Sequence, residues 1–353
     1  MTQHRRVVFF LDSGLDPDDY ADRWRRGLVP DRLPYGIEHA PEGWTFEIAA
    51  RRVPRGLRRI GRFLHGRLGF DLLRALVNRR ALSRADAVYC HTEVEYLAVA
   101  AVLPRHGGPI LAGQTIWIFH RFASLPVLRR RLVRRLIRRV DLLIANAEPN
   151  VELGRAIAPA AVHRYLPFGI SRAFASDDRR PGSPQVLGVG NDAARDWDVF
   201  AHAVEDAGVV DVRVASKAPV HVRGTDVAVA TSGLAELREL YATSALVLLA
   251  ARENAHASGI TTLLEAAAAG TPVVATRTGG LDAYFTDDEV AFVEPGSRDA
   301  LSAAVRRDLA DPAARERRGR AAREAMDRSA LWNDCYWRRV VDELSGLPLG
   351  SRP

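Results

Sequence analysis

The sequence predicts an α/β protein built from two successive doubly wound domains, each with a parallel sheet. Patterns typical of buried strands alternate with amphipathic helical patterns along most of the chain. A polar segment interrupts this alternation near the middle, and 353 residues suffice for two domains. The composition, with 47% hydrophobic and 26% charged residues, is that of an ordinary globular protein.

The first half contains short apolar runs that we interpret as buried parallel strands. They are Arg6–Asp12, Asp86–His91, Pro109–Gly113 and Asp141–Asn146. Before the last of these runs, residues 128–140 place leucine, isoleucine and valine on one helical face and seven arginines on the other. This segment is predicted to form an amphipathic basic helix.

The composition changes at residues 175–184, which are polar and rich in proline, glycine and serine and are therefore predicted to link two domains. We predict an N-terminal domain over residues 1–176, a second domain over residues 185–330 and a final helical segment over residues 331–353.

The second half repeats the alternation of strands and helices. Predicted strands are Val186–Gly190, Val210–Ala215, Ala245–Ala250 and Val273–Thr276, and predicted helices are Trp197–Ala207, Ala235–Thr243 and Thr261–Ala269. The last of these helices ends at Gly270-Thr271-Pro272, a stop signal. Residues 299–346 are predicted to be mostly helical.

Several classes of protein are disfavoured by what the sequence lacks. Two cysteines cannot form a disulfide framework or a four-thiolate metal site. The sequence has no metalloprotease or EF-hand motif and no Walker lysine. No apolar stretch reaches about 18 residues. The first residues do not form a signal peptide pattern, so the cytoplasm is the expected location.

Positive charge is concentrated in the first half. The net charge is +7, but residues 1–180 hold 31 arginines against 18 acidic residues. Such a surface favours an anionic partner. For the predicted basic helix and the arginines of residues 51–84, two interpretations stay open: peripheral contact with an anionic membrane, at its inner face, or a solvated arginine-rich face. Nucleic acid is not favoured, because no RNA- or DNA-binding signature is present.

The segment with the most chemical information runs from Arg252 to Thr276, where a strand is followed by a loop, a helix and a second strand. The loop ends at Ser258-Gly259, just before the helix. Small residues let an anion approach the backbone, and the first amides of a helix favour phosphate. Glu265 lies one turn further on, where its carboxylate could accept hydrogen bonds from a ribose.

This segment resembles the donor-binding signature of GT-B glycosyltransferases, most closely those of family 4. The likeness covers Ser258 to Thr276 and continues through Gly279-Gly280 and Glu294-Pro295-Gly296. It implies two Rossmann-like domains whose parallel sheets face each other across a cleft, with the final helix crossing back onto the first domain. It also implies that Ser258, Gly259, Ile260 and Thr261 hold a donor diphosphate and that Glu265 holds the ribose.

The sequence departs from the family pattern at Ala257, where relatives carry a glutamate that contacts the donor sugar. Glu253 lies four residues earlier and His256 is adjacent. We therefore expect the donor sugar to lie near Ala257, with Glu253, Asn254 or His256 in place of the missing glutamate.

The loop after the first strand of the second domain resembles the family's cationic loop. Arg195 falls where the family has a lysine, and Asn191 falls where it has an arginine. A guanidinium can bind two diphosphate oxygens at once. Lys217, the one lysine in the chain, ends the next strand. We expect Asn191, Arg195 and Lys217 to bind the donor, and Arg195 and Lys217 to stabilise the leaving diphosphate.

In the first domain the resemblance implies an acceptor site. Gly14 would lie in a glycine loop facing the donor phosphate. His91 and Glu93 follow a strand and could orient the acceptor, with His91 as a candidate catalytic residue. Gln114 falls near a position where many relatives have a histidine, which is absent here unless His120 folds back.

The implied function is transfer of a sugar from a nucleoside diphosphate sugar to a hydroxyl or amine, with retention and without a metal or other cofactor. Two alternatives stay open. One is a GT-B protein that binds a nucleotide but has lost catalysis, which Ala257 and the missing histidine motivate. The other is a sugar-nucleotide epimerase or a phosphorylase on the same fold. The acceptor and the oligomeric state are not determined by the sequence.

Overall fold

The computed structural model describes residues 5–11, 17–104, 107–182, 185–217, 219–223, 228–229 and 233–348. The chain divides into two compact units. The first unit comprises residues 1–21, 36–166 and 337–353, and the second comprises residues 22–35 and 167–336. The domain boundaries given above remain predictions.

The first unit contains a six-stranded parallel sheet. Its strands are β1 (Arg5–Phe10), β2 (Trp44–Ile48), β3 (Ala87–Cys90), β4 (Ile110–Gln114), β5 (Leu142–Ala145) and β6 (Val162–Tyr165). Their order is β2-β1-β3-β4-β5-β6. Every residue of β3, β4 and β5 is buried, as expected for strands covered on both faces.

Helices connect these parallel strands. They are α1 (Pro17–Arg25), α2 (Arg58–Leu68), α3 (Leu72–Ser83), α4 (Glu93–Val102), α5 (Ile118–Arg121), α6 (Val127–Ile137) and α7 (Glu148–Ile157). The predicted basic helix is confirmed as α6, which ends at Ile137 and buries Val133, Leu136 and Ile137.

The second unit contains another six-stranded parallel sheet. Its strands are β7 (Val186–Val189), β8 (Val212–Ala215), β9 (Ala228–Val229), β10 (Leu246–Leu249), β11 (Val273–Thr276) and β12 (Ala291–Val293). Their order is β12-β11-β10-β7-β8-β9. From β7 the chain first adds β8 and β9 on one side and then β10, β11 and β12 on the other, so the order of the strands reverses between β7 and β10. Ligands of open parallel sheets bind at the carboxyl ends of the strands beside such a reversal.

The remaining helices lie mostly in the second unit. They are α8 (Trp197–Asp206), α9 (Leu234–Thr243), α10 (Ile260–Ala268), α11 (Arg298–Ala310), α12 (Pro312–Arg328) and α13 (Asn333–Ser345). Short 3-10 helices cover Pro34–His39, Arg55–Leu57, Phe122–Ser124, Arg172–Phe174 and Leu281–Ala283. The predicted helical character of residues 299–346 is confirmed by α11, α12 and α13.

The polar segment predicted to link the domains is bound to the second unit through Arg179. Its guanidinium donates to the backbone carbonyls of Tyr241, Ala242 and Ala245 at 3.0–3.1 Å and forms an ion pair with Glu316. Arg179 therefore fixes this segment to the second unit. The polar composition of the segment does not predict this contact.

The final helix contributes an aromatic side chain to the first unit. Trp337 of α13 is fully buried and packs edge to face on Phe9, Phe46 and Tyr89, with ring centroids 5.2–5.6 Å apart. Such contacts bury a large apolar area with a defined geometry. The core of the first unit thus includes a residue from the far end of the chain.

Within the described residues, no helix is both long enough and apolar enough to cross a membrane.

Candidate functional site

The candidate site lies in the second unit at the carboxyl ends of β7 and β10. The loop of residues 190–196 follows β7, and the loop of residues 250–259 leads from β10 to α10. A cavity of about 510 Å³ is lined here by Asn191, Asp192, Arg195, Trp197, Lys217 and Arg252. Two of the three residues predicted to be cationic or polar donor ligands, Asn191 and Arg195, come from the first loop.

Arg195 is the central cation of this cavity and is 5% exposed. Its Nη2 donates to Oγ1 of Thr262 at 2.9 Å. Its Nε and Nη1 have no hydrogen-bond partner among the residues that the structure describes. Buried polar groups are almost always satisfied, so the unused Nε and Nη1 of this guanidinium make Arg195 a candidate anion-binding residue.

Two glycines make room for the Arg195 guanidinium. A β-carbon at Gly190 or at Gly259 would overlap it, and both glycines have a positive φ, of 143° and 97°. Burial lowers the pKa of Arg195 to about 10, against the opposing effects of Tyr241, Asp192 and Glu265. The side chain is therefore still positively charged at neutral pH.

The amino end of α10 lies beside this arginine. Gly259 occupies the cap position in a left-handed conformation that suits glycine. The amides of Ser258 and Ile260 are used within the loop, by Oδ1 of Asn254 and by the carbonyl of Ala257. No described residue accepts a hydrogen bond from the backbone amides of Gly259 and Thr261. These two amides are therefore available to an anion.

Asp192 was not singled out by the sequence and brings a carboxylate into the site. Its Oδ1 accepts hydrogen bonds from Oγ of Ser258 at 3.0 Å and from the amide of Ala194 at 2.7 Å. Nε2 of His256 lies 3.3 Å from the same oxygen. Ser258 and His256, both predicted to be donor ligands, therefore both contact Asp192.

Glu265 lies on the first turns of α10 and is bound by Tyr241, which the sequence also did not single out. The Tyr241 hydroxyl donates to Oε2 of Glu265 at 2.9 Å. Burial raises the pKa of Glu265 to about 7, although Tyr241 and Arg195 both oppose this shift. The carboxyl group therefore titrates near neutral pH.

The loop that should carry the donor sugar contacts is organised by Asn254, which is buried. Its Oδ1 accepts hydrogen bonds from the backbone amides of His256 and Ser258, both at 3.1 Å. The backbone amide of Asn254 donates to Oγ1 of Thr278. Ala257 is buried and has a positive φ of 50°, at the position where the family resemblance led us to expect a glutamate.

Two predicted donor residues, Glu253 and Lys217, are exposed. Glu253 is exposed and lines a second cavity of about 280 Å³, together with Thr276 and residues 294–297. Lys217 is exposed, and its backbone amide donates to Oδ1 of Asn191 at 2.6 Å. Lys217 shares the cavity with Arg195, whereas Glu253 does not.

In the first unit, the predicted acceptor residues are buried at the ends of β3 and β4. His91 follows β3, and burial lowers its pKa to about 3, so the imidazole is neutral at pH 7. Glu93 accepts from the backbone amides of Ile116 and Trp117, both at 3.1 Å. This carboxylate therefore holds the loop after β4.

Gln114 belongs to a buried polar network at the end of β4. It donates to Asn146, and the Tyr89 hydroxyl donates to it at 3.4 Å. His120 is exposed on α5. Gly14, the predicted glycine facing the donor phosphate, lies outside the described residues.

Comparison with solved structures shows the fold of this chain. Over 97% of this chain and 98% of the other, the structure is similar to sucrose-phosphate synthase from Thermosynechococcus elongatus, with a TM-score of 0.68 and 15% identity. It is similar to Anabaena HepE in complex with UDP-glucose over 98% of this chain and all of the other, with a TM-score of 0.68 and 14% identity. WaaG, a glycosyltransferase involved in lipopolysaccharide biosynthesis, gives 0.58 at 17% identity over 97% of this chain and all of the other. At these identities the likeness establishes the fold, which is GT-B, as predicted.

Similarity in sequence is found in part of the second unit. Residues 226–325 match the family described as Glycosyl transferases group 1. A stretch of 90 residues is 46% identical to glycogen synthase of Mycobacterium tuberculosis, covering 25% of this chain. The match spans a fifth of the length of that relative. The matched segment, which contains α10 and Glu265, is thus similar to the glycosyltransferases of group 1, and the chain as a whole has the GT-B fold.

Proposed function

We propose that this chain transfers a sugar from a nucleoside diphosphate sugar to a hydroxyl or amine acceptor, with retention of anomeric configuration. One observation carries the proposal: Arg195 is buried at the amino end of α10 with its Nε and Nη1 unused. A buried cation beside free helix amides is the arrangement that binds a diphosphate.

The same groups suit the chemistry of sugar transfer. When the bond between the sugar and the diphosphate breaks, negative charge develops on the leaving oxygen. Arg195 and the amides of Gly259 and Thr261 are preorganised to stabilise that charge, and Lys217 lies at the same cavity. We propose that these cations replace a metal ion at the diphosphate.

The nucleoside half of the donor would lie against Glu265. A ribose offers two hydroxyl donors, and a carboxylate accepts both. Tyr241 already fixes one oxygen of Glu265. Because HepE has been seen with UDP-glucose and a relative is a glycogen synthase, UDP-glucose is the first donor to test.

The acceptor is proposed to meet the first unit near His91. The low pKa of His91 keeps its imidazole neutral and makes it a weak base, so we propose that it orients the acceptor hydroxyl by a hydrogen bond. Glu93 would act indirectly, since its carboxylate is bound to the amides of the loop after β4.

Isothermal titration calorimetry against UDP, GDP, ADP, dTDP and UDP-glucose, with EDTA present, tests the donor site. We expect one base to bind, and Arg195→Met to weaken that binding by about 10- to 100-fold, as loss of a charged hydrogen-bond partner would. Arg213→Met, on the exposed side of β8, is the matched control and should bind as the wild type does. Equal affinity of Arg195→Met and wild type would refute the proposed role.

Release of the nucleoside diphosphate from the bound donor separates transfer from binding alone. Turnover in EDTA, with an α-linked product from an α-linked donor by NMR, supports retaining, metal-independent transfer. Tight binding without turnover across sugar and lipid acceptors would favour a protein that has lost catalysis, consistent with alanine at position 257.

A further inference from the structure

Helix α2 and the 3-10 turn before it form an unusually exposed element of the first unit. Over Arg55–Leu68 no residue is buried. Leu57, Ile60 and Phe63 are 40%, 52% and 63% exposed. Large apolar side chains that point to water in a row normally mark an interaction surface.

The spacing of these side chains places them on a different face of the helix from the apolar residues that pack on the protein. Gly61, Leu64 and Leu68 are partly covered, and Gly61 faces Leu73 of α3. Leu57, Ile60 and Phe63 recur every three residues on an adjoining stripe. The helix therefore has two apolar stripes, of which only one packs on the protein.

A second basic helix extends the same surface. The guanidinium of Arg129, on α6, lies directly against Gly69, which ends α2. Beside it, Val127 and Leu128 are 53% and 79% exposed. Of the ten large hydrophobic side chains exposed in the described part of the chain, five therefore lie on α2, its preceding turn and the start of α6. We call these five residues the apolar patch.

The charge around the apolar patch is predominantly positive. Residues 51–70 contain seven arginines and no acidic residue, and α6 adds five arginines and no acidic residue. Arg67 stacks on the ring of Phe63, 5.6 Å from its centroid. Arginines that flank exposed leucine, isoleucine and phenylalanine on one helix are the composition of helices that lie in the interface of an anionic bilayer.

A cavity of about 720 Å³ adjoins α2. Its lining includes Arg52, Arg58, Arg62 and Arg74, and the acidic residues Asp19 and Asp71. Arg52 is paired with Asp19. The arginines outnumber the acids, so this cavity favours an anionic group such as a lipid phosphate beside the apolar patch.

From these observations we infer that the apolar patch docks the first unit on an anionic phospholipid bilayer, with leucine, isoleucine and phenylalanine inserted among the acyl chains and the arginines at the headgroups. This surface shares no residue with the proposed donor site, and its test does not depend on sugar transfer.

Co-sedimentation of the full chain with vesicles tests this inference. We expect association with vesicles of 30% phosphatidylglycerol in phosphatidylcholine, little association with pure phosphatidylcholine, and release at high salt. Phe63→Asp should reduce association at least tenfold. Paired Arg58→Gln and Arg59→Gln changes should reduce it about 25-fold, since each surface arginine contributes about fivefold. Val210→Asp, at an apolar residue that is 77% exposed in the second unit, is the matched control and should associate like wild type.

Three outcomes would overturn the inference. One is the absence of association with anionic vesicles, and another is association that Phe63→Asp leaves unchanged. The third is binding to a DNA or RNA oligonucleotide that the arginine changes abolish while vesicles do not bind, which would make the surface a nucleic-acid site. Each variant should fold, because the substituted side chains are exposed, and thermal melting checks this.

Discussion

At the scale of single residues, the site depends on polar groups held at unusual protonation or hydrogen-bonding states. Arg195 is buried with its Nε and Nη1 unused, and Glu265 is half-buried with a pKa of about 7. Such perturbed groups cluster at functional sites, and phosphate and hydroxyl groups of a ligand would complete their hydrogen bonds.

Glu265→Gln should change the pH dependence of stability. The carboxyl pKa rises from 4.5 to about 7 on folding, so the folded state holds the proton more tightly than the unfolded state. Stability is therefore fully present below pH 4.5 and is lost as pH rises through 7. The glutamine variant lacks this loss. At pH 8 its free energy of unfolding should therefore exceed that of wild type by at most about 3 kcal/mol, at 1.4 kcal/mol per pKa unit.

Chemical denaturation at pH 5 and pH 8 measures this difference. Glu324→Gln, on the exposed side of α12, is the control and should show no such pH dependence. If the free energies of unfolding of Glu265→Gln and wild type stayed parallel across this range, the carboxylate would not be desolvated in the folded protein.

Asp192→Asn should strengthen the binding of a nucleoside diphosphate. The carboxylate of Asp192 accepts a hydrogen bond from Ser258, close to Arg195 and the first amides of α10. Its negative charge repels an incoming diphosphate. We expect an increase in affinity of about three- to tenfold, consistent with loss of a like charge at a partly screened distance. A decrease, measured by calorimetry, would mean that the carboxylate contacts the ligand directly.

At the scale of secondary structure elements, glycines decide how closely helices approach their neighbours. A β-carbon at Gly319 of α12 would overlap the backbone carbonyl of Gly270, at the end of α10. At Gly66 of α2 a β-carbon meets nothing within 4 Å. The same substitution therefore has opposite expected effects in two helices.

Gly319→Ala should destabilise the protein by about 1–3 kcal/mol, because backbone must move to admit the methyl group. Gly66→Ala should stabilise it by up to about 1 kcal/mol through helix propensity alone. Equilibrium unfolding in urea gives both values. Similar effects of the two changes would show that α12 does not pack tightly against the turn after α10.

At the scale of the whole molecule, the chain contributes to each unit from distant parts of the sequence. Residues 22–35 belong to the second unit, although most of their neighbours in sequence belong to the first. Residues from 337 onward complete the first unit, with Trp337 among Phe9, Phe46 and Tyr89. The stability of the first unit therefore depends on the last helix.

Trp337→Ala should destabilise the first unit by about 3–5 kcal/mol, the usual cost of removing a large buried aromatic side chain. Trp24→Ala, at a tryptophan that is 43% exposed, is the control and should cost about 1 kcal/mol or less. Calorimetric melting would show the loss as a lower melting temperature. An unchanged melting profile for Trp337→Ala would contradict the packing of α13 on this core.

Much of the fold could be predicted from sequence because the central strands are buried on both faces. Such strands are continuous apolar runs, and β3, β4, β5, β7 and β10 were predicted within a few residues. Strands β2, β6, β9 and β12 were not predicted. In β2 and β6, exposed or charged residues interrupt the apolar pattern, and β9 and β12 have only two and three residues.

For the candidate site, local spacing is enough to predict Arg195 after β7, the small residues before α10 and Glu265 within it. Parallel strands bring their carboxyl ends together, so loops that follow them meet at one edge of the sheet. Four features become visible only in the folded chain: Asp192 binds Ser258, Tyr241 binds Glu265, Thr262 accepts from Arg195, and Glu253 lines another cavity. Each of these depends on a contact between residues distant in sequence, or on which side of a loop a side chain leaves, and no local pattern of residues encodes either.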